Sequence, residues 1–190
     1  RIVVKDIILP YINFETSEFK QIHEKFKELI IDTKSTKGGF KYSLTHKGVK
    51  TDFGLGGVHG ARSSGVYQGK DGMIIMTSDV TSFYPNLAIR NKWSPAHIPV
   101  KEFCEQYEWF FDERVKIPKK DPKNYVYKII LNSTYGLSND ENSFLYDPEF
   151  TMRITINGQL SLTMLYEMLS TGIPGSIPLM QNSDGLEMLI

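Results

Sequence analysis

Two aspartates of this 190-residue chain stand where strand-like runs end. Asp79 follows Met73-Ile-Ile-Met-Thr-Ser78, and Asp184 lies in Asn182-Ser-Asp-Gly185 behind Pro178-Leu-Met-Gln181. Each alone has a plain structural explanation, since a carboxylate ahead of a helix caps it and Asp-Gly is a favoured hairpin turn. On neighbouring strands of one sheet the pair gains a further capacity: two carboxylates can share hard divalent cations. Mg²⁺ takes oxygen ligands, few from protein and the rest from water and phosphates. Two such ions ~4 Å apart stabilise the attacking and leaving oxygens of a phosphoryl transfer.

A second constellation is Lys128-Ile-Ile-Leu-Asn132-Ser-Thr-Tyr135-Gly136. Lys128, Asn132 and Tyr135 are spaced i, i+4 and i+7, so one helical face presents an ammonium, an amide and a phenol. Ile129 and Ile130 are expected to point inward. A solvated stripe accounts for a lone lysine, but Tyr and Asn gain little from full exposure. A lysine aligned with them suits a triphosphate.

The elements that must position these groups can be read from periodicity. Phe19, Ile22, Phe26, Leu29 and Ile30 predict a helix over 17–32, capped by Thr16 or Ser17 and broken by the stretch 34–41 with Gly38-Gly39. Phe40 to Leu44 alternates like a strand, and Lys47-Gly48 reads as a turn. The cluster Gly54-Leu-Gly-Gly-Val-His-Gly60 reads as a flexible loop needing positive φ. Val66-Tyr67 and Met73 to Ser78 are expected to form a hairpin through Gly69-Lys-Asp-Gly72.

Helices are expected over 84–91 and 100–117, the latter with Phe103, Tyr107, Phe110, Phe111 and Val115 on its apolar side. A further helix starts at the Asp121-Pro122 cap and runs to about Tyr135, ended by Gly136. Another spans 152–170 and closes at Gly172. Pro178 to Met188 reads as a hairpin with Ser183-Asp-Gly185 at its tip. This order predicts an α+β fold with an antiparallel sheet.

The quoted segments resemble the B-family (α-like) DNA polymerases, in a phage- or virus-like variant. Asp79-Val-Thr-Ser-Phe-Tyr-Pro85 is similar to their motif A, Asp-x-x-Ser-Leu-Tyr-Pro. Lys128 to Gly136 fits motif B, Lys-x-x-x-Asn-Ser-x-Tyr-Gly, at every fixed position. Ile154-Thr-Ile-Asn-Gly-Gln159 resembles the helix that follows, and Asn182-Ser-Asp-Gly185 falls at motif C, Asp-Thr-Asp-Ser. The likeness runs from about Met73 to Glu187, in order and with the right spacing.

The resemblance implies an antiparallel-sheet palm with a helix-pair fingers insertion. Residues 1–65 would precede the palm, 66–99 form its first part, 100–138 the fingers and 139–190 its second part. It implies that Asp79 and Asp184 are the catalytic, metal-binding carboxylates, with the Val80 carbonyl as a further ligand of two Mg²⁺ ions (Mn²⁺ as a substitute). Ser82 and Phe83 would hold the β- and γ-phosphates. Tyr84 would lie under the sugar and exclude a 2′-hydroxyl. Arg114, Lys128 and Asn132 would bind the nucleotide, while Tyr135 and Gly136 sit against the nascent base pair.

The second basic residue expected one turn after Arg114 falls at Pro118, so Lys119 or Lys120 takes that role. Partners would be primer-template DNA and dNTPs, with a priming protein or processivity factor left open. No membrane is involved, and the setting is intracellular, in a bacterium or infected host cell.

One departure is Asn182, where motif C has its first aspartate; another is Gly185 in place of serine. Glu187 is near, but an offset of three along a strand puts it on the opposite face from Asp184. The departure keeps two alternatives open: a catalytically weakened primer-template-binding relative, or another palm polymerase such as a reverse transcriptase.

Composition bounds the rest. Hydrophobic residues at 41% and charged residues at 23% exclude a disordered chain or a coiled-coil rod. The single cysteine excludes an internal disulfide and a Cys-rich zinc site. The formal net charge of zero hides a division. Arg114 to Lys128 holds six basic residues and one acid, while Leu137 to Ile190 holds seven acids and one base. A basic strip beside an acidic segment is what triphosphate capture and metal binding need. The absent initiator Met and the apolar run at the end suggest a piece of something longer.

Overall fold

The computed structural model describes residues 1–34, 39–70 and 72–190 and divides into two compact units, 1–80 with 155–190, and 81–154. The fold is α+β, with antiparallel sheets and five helices among the described residues. Part of the expected break at 34–41, and Asp71 of the expected turn, lie outside those residues.

In the first unit, β1 (Ile2–Val3) pairs with β2 (Ile30–Ile31), and α1 (Ser17–Lys27) buries Phe19, Ile22 and Phe26. The helix ends earlier than its apolar pattern suggests because Ile30 and Ile31 leave it to pair with Val3 and Ile2. A six-stranded sheet follows: β3 (Lys41–His46), β4 (Val49–Gly54), β5 (Gly57–Arg62), β6 (Ile75–Asp79), β7 (Ile177–Asn182) and β8 (Gly185–Leu189). Its spatial order is β3-β4-β5-β7-β8-β6, every neighbour antiparallel.

Lys47 and Gly48, both at positive φ (46° and 83°), make the expected two-residue turn between β3 and β4. The glycine cluster is a tight hairpin and not a flexible loop: Gly54 ends β4, Leu55-Gly56 make the turn, and β5 starts at Gly57 with φ 146°. A Cβ on Gly60 would collide with the Thr51 hydroxyl, so glycine here serves close strand packing. The expected hairpin of 66–67 with 73–78 does not form either. Val66 is 86% exposed, and β6 pairs instead with β8, far along the chain.

One face of the sheet is closed by α1 and by α5 (Pro148–Gly172), whose residues from Thr155 onward belong to this unit. Phe26 meets Phe40 and Phe53, and Phe19 meets His46 and Tyr166. Polar residues of α5 join the parts of the core. Asn157 bonds both ways with the segment before α1, accepting from Leu9 N at 2.7 Å and donating to Ile7 O at 2.8 Å. Gln159 donates to Gly54 O at 3.0 Å, and Gln181 of β7 donates to Thr163 at 2.7 Å. Buried Glu167 accepts the amides of Glu15 and Thr16, occupying donors just ahead of α1. On the opposite, open face the side chains of Thr77, Asp79, His59 and Asn182 are exposed.

The second unit holds α2 (Phe83–Asn91), α3 (Val100–Val115), α4 (Pro122–Leu137) and the start of α5. Asp121 caps α4 as expected, its carboxylate accepting from Lys123 N at 2.9 Å. Gly136 does not end that helix; it lies within it, and Ser138 caps it. The buried ridge of α4 is Asn124, Leu131 and Ser138, so Ile129 faces outward at 44% exposure and Ile130 is half-buried. Tyr107 of α3 donates to Leu131 O at 2.6 Å, tying the two helices together. Asp147 accepts the amides of Glu149 and Phe150 at the head of α5. Among the described residues no helix is long and apolar enough to cross a membrane.

Candidate active site

In the first unit, the pairing of β6 with β8 sets the two aspartates at the same end of adjacent strands. Asp79 is the last residue of β6 and pairs with Gly185, the first residue of β8. Asp184 is the second residue of the two-residue β7–β8 turn, in which Ser183 takes φ 45°. Three backbone bonds fix that turn. Ser183 N donates to Val58 O at 2.9 Å, Asp184 N to Asn182 O at 2.5 Å, and Val80 N to Asp184 O at 2.9 Å. Through the last of these, the segment after Asp79 directly holds the main chain of Asp184.

Both carboxylates are exposed, and the Val80 carbonyl adds a third oxygen-bearing group to this segment. Among the described residues no group of three or more His, Cys, Asp or Glu side chains is arranged to hold a metal ion. Two exposed carboxylates are the complement that suits Mg²⁺, which keeps waters and takes further ligands from phosphates. The donor set therefore fits such an ion when a phosphate substrate accompanies it.

The register places Glu187 relative to Asp79. Asp184 lies in a turn, so strand alternation starts at Gly185, and Glu187 shares the open face with Asp79 and Thr77. Thr77 Oγ1 donates to Glu187 Oε1 at 3.4 Å.

In the second unit, the residues of motif A and motif B type meet. Ser82 precedes α2 in a left-handed conformation, φ 48° and ψ 51°, which costs a non-glycine residue on the order of 1 kcal/mol or more. Two side chains hold it there. Asn86 donates to Thr81 O at 2.9 Å and Ser82 O at 3.2 Å, and Arg114 Nη1 donates to Ser82 Oγ at 2.5 Å. Arg114 is itself oriented by buried Asn124, whose amide donates to Arg114 O and Ile117 O while its oxygen lies 3.4 Å from Arg114 Nε. Phe83 opens α2, and its ring stacks on Tyr84 with centroids 5.9 Å apart.

Tyr84 packs on Tyr135 with centroids 4.9 Å apart. Burial, with the Tyr84 phenol beside it, pushes the Tyr135 hydroxyl well above the ordinary tyrosine range. Lys128 and Asn132 are exposed on the same flank of α4. Gly136 is exposed with open space where a Cβ would stand. No packing requires glycine there, so a flat group could approach the helix backbone closely. Lys119 and Lys120 are exposed in the turn between α3 and α4.

Sequence reasoning missed Asn86 and Asn124. Asn86 lies four residues after Ser82, the helical spacing at which an amide returns to a carbonyl. Asn124 carries no such sign; only its place on the buried ridge of α4 exposes its role.

No known family model matches this chain, and a comparison with curated proteins finds no match.

Proposed function

We propose that this chain carries the catalytic residues of a B-family DNA polymerase, which adds dNTPs to a primer 3′-hydroxyl on a DNA template. One observation carries the reading: Asp79 and Asp184, remote in sequence, stand at the same end of adjacent strands with Val80 N–H on the Asp184 carbonyl. In this reading the six-stranded sheet is the palm and the α3–α4 pair the fingers.

The roles follow from the chemistry of the groups. Asp79, Asp184 and the Val80 carbonyl hold Mg²⁺ or Mn²⁺. Such ions would supply Lewis-acid activation of the 3′-hydroxyl and charge stabilisation for the departing pyrophosphate. Amides at Ser82 and Phe83, at the head of α2, receive the β- and γ-phosphates, because a helix N-terminus offers unpaired N–H groups. Arg114 suits bidentate phosphate contact, and Lys128 adds a point charge to the same triphosphate. Asn132 assists them.

The Tyr84 ring, braced by Tyr135, would lie under the sugar and exclude an added 2′-oxygen, which selects deoxynucleotides. Tyr135 and Gly136 lie against the nascent base pair, and template pairing chooses the base. Catalysis is mostly positioning and charge stabilisation.

The test is Mg²⁺-dependent primer extension by the full-length protein, with dNTPs and rNTPs in separate reactions and DNA or RNA as template. DNA-templated incorporation that favours dNTPs supports the reading. Binding of primer-template without incorporation, equal use of rNTPs, or preference for an RNA template overturns it.

A further inference from the structure

The glycine-rich strand β5 brings one large polar side chain onto the open face of the sheet, and it meets the residue at which motif C departs from its pattern. His59 pairs in register with Asn182, and Asn182 pairs with Gly185, which pairs with Asp79. These four residues form one row across β5, β7, β8 and β6. His59 Nδ1 lies 2.5 Å from Asn182 Oδ1, and Ser183 Oγ donates to the same oxygen at 3.3 Å. The neighbouring residue of β5, Val58, accepts the amide of Ser183. Two consecutive residues of β5 thus hold two consecutive residues leading into Asp184.

We propose that His59 and Asn182 form one positioning unit for the Asp184 turn, with the imidazole Nδ1–H donating to the Asn182 side-chain oxygen. The importance of that turn rests on the polymerase reading. An amide oxygen only accepts, so the contact requires the proton on Nδ1 and leaves Nε2 unprotonated in the neutral ring. An aspartate at 182 would bring a third carboxylate close to Asp184 and Asp79. The amide supplies an acceptor at that position without adding charge. Asn182 is therefore a positioning residue and not a metal ligand, and His59 acts through it. The glycines around His59 serve the same arrangement, since Gly60 lets β5 approach β4 closely.

The experiment uses the full-length protein and three substitutions. His59→Asn keeps a donor near the Nδ1 position, His59→Gln moves it to the Nε2 position, and His59→Ala removes it. Nitrogen NMR of the wild-type imidazole should show His59 protonated at Nδ1. Amide hydrogen exchange at Ser183 and Asp184 should be roughly five- to tenfold faster in the Ala and Gln variants, the effect of one lost hydrogen bond, and near wild type in the Asn variant.

Primer extension should follow the same order, with kcat lowered and the dNTP KM unchanged. A wild-type proton on Nε2, or equal exchange in all four proteins, overturns the proposal. Normal kcat in the Ala variant overturns it while leaving the polymerase reading intact. The expected tautomer and exchange in a protein that extends no primer support the positioning unit and sink the polymerase reading instead.

Discussion

Asp79 Oδ1 lies 3.4 Å from the point where a Cβ on Gly185 would stand, and the Ser78 carbonyl lies 3.1 Å from it. Gly185 leaves space for that carboxylate, and its φ is not in the left-handed region, so a side chain there is a question of space and not of backbone strain.

Gly185→Val fills this space with an isopropyl group. Valine suits a strand, so the fold should survive, while the Asp79 carboxylate is displaced. The expected result is an approximately hundredfold loss of Mg²⁺-dependent primer extension, the usual consequence of misplacing a reacting group by about 1 Å. Circular dichroism should change little, while thermal unfolding should show a modest loss because the new Cβ presses on the Ser78 carbonyl. Unchanged extension would show that the Asp79 position is not critical.

Gly136→Ala should move stability and activity in opposite directions. Glycine inside α4 is unfavourable relative to alanine, and no neighbouring atom restricts a Cβ there. The substitution should stabilise the protein by about 0.5 kcal/mol in denaturant unfolding. If a base pair lies against this backbone, the added methyl should lower kcat/KM for dNTP by roughly tenfold, an effect of about 1.4 kcal/mol. A gain in both quantities would place the base pair elsewhere.

Stability should fall in mild acid. Burial lowers the pKa of His23 and His46; nearby Lys27 adds to the effect at His23, while Glu18 opposes it at His46. The unfolded chain then binds protons more readily than the folded one. Their contribution is complete above the unfolded histidine value of about 6.5 and is lost as pH falls through the lower folded values. Urea unfolding at several pH values should show this slope, and His46→Gln should flatten it. An unchanged slope in that variant would remove His46 from the account.

Local elements were legible in the sequence where local chemistry decides them. The Asp121-Pro122 cap, the Lys47-Gly48 turn and the Ser183-Asp184 turn each carry their own signal within four residues. Pairing across the chain carries none. Nothing in residues 73–79 names β8 as the partner of β6, and nothing in the glycine cluster names β7 as the partner of β5. The shared end of Asp79 and Asp184 was therefore an expectation from the motifs, while the place of Glu187 and the His59–Asn182 contact required the register. Helix ends erred for a related reason. Ile30 and Ile31 fit a helical period as well as a strand, and pairing with Ile2 and Val3 decides between them.

The central claim is that Asp79 serves catalysis and not merely the end of a strand. The most direct measurement is Mg²⁺-dependent primer extension by full-length protein carrying Asp79→Asn, with primer-template binding measured alongside. Removing a carboxylate that holds catalytic ions forfeits several kcal/mol, so extension should fall by on the order of a thousandfold or more. DNA binding should persist. Full extension by the Asp79→Asn protein would contradict the account.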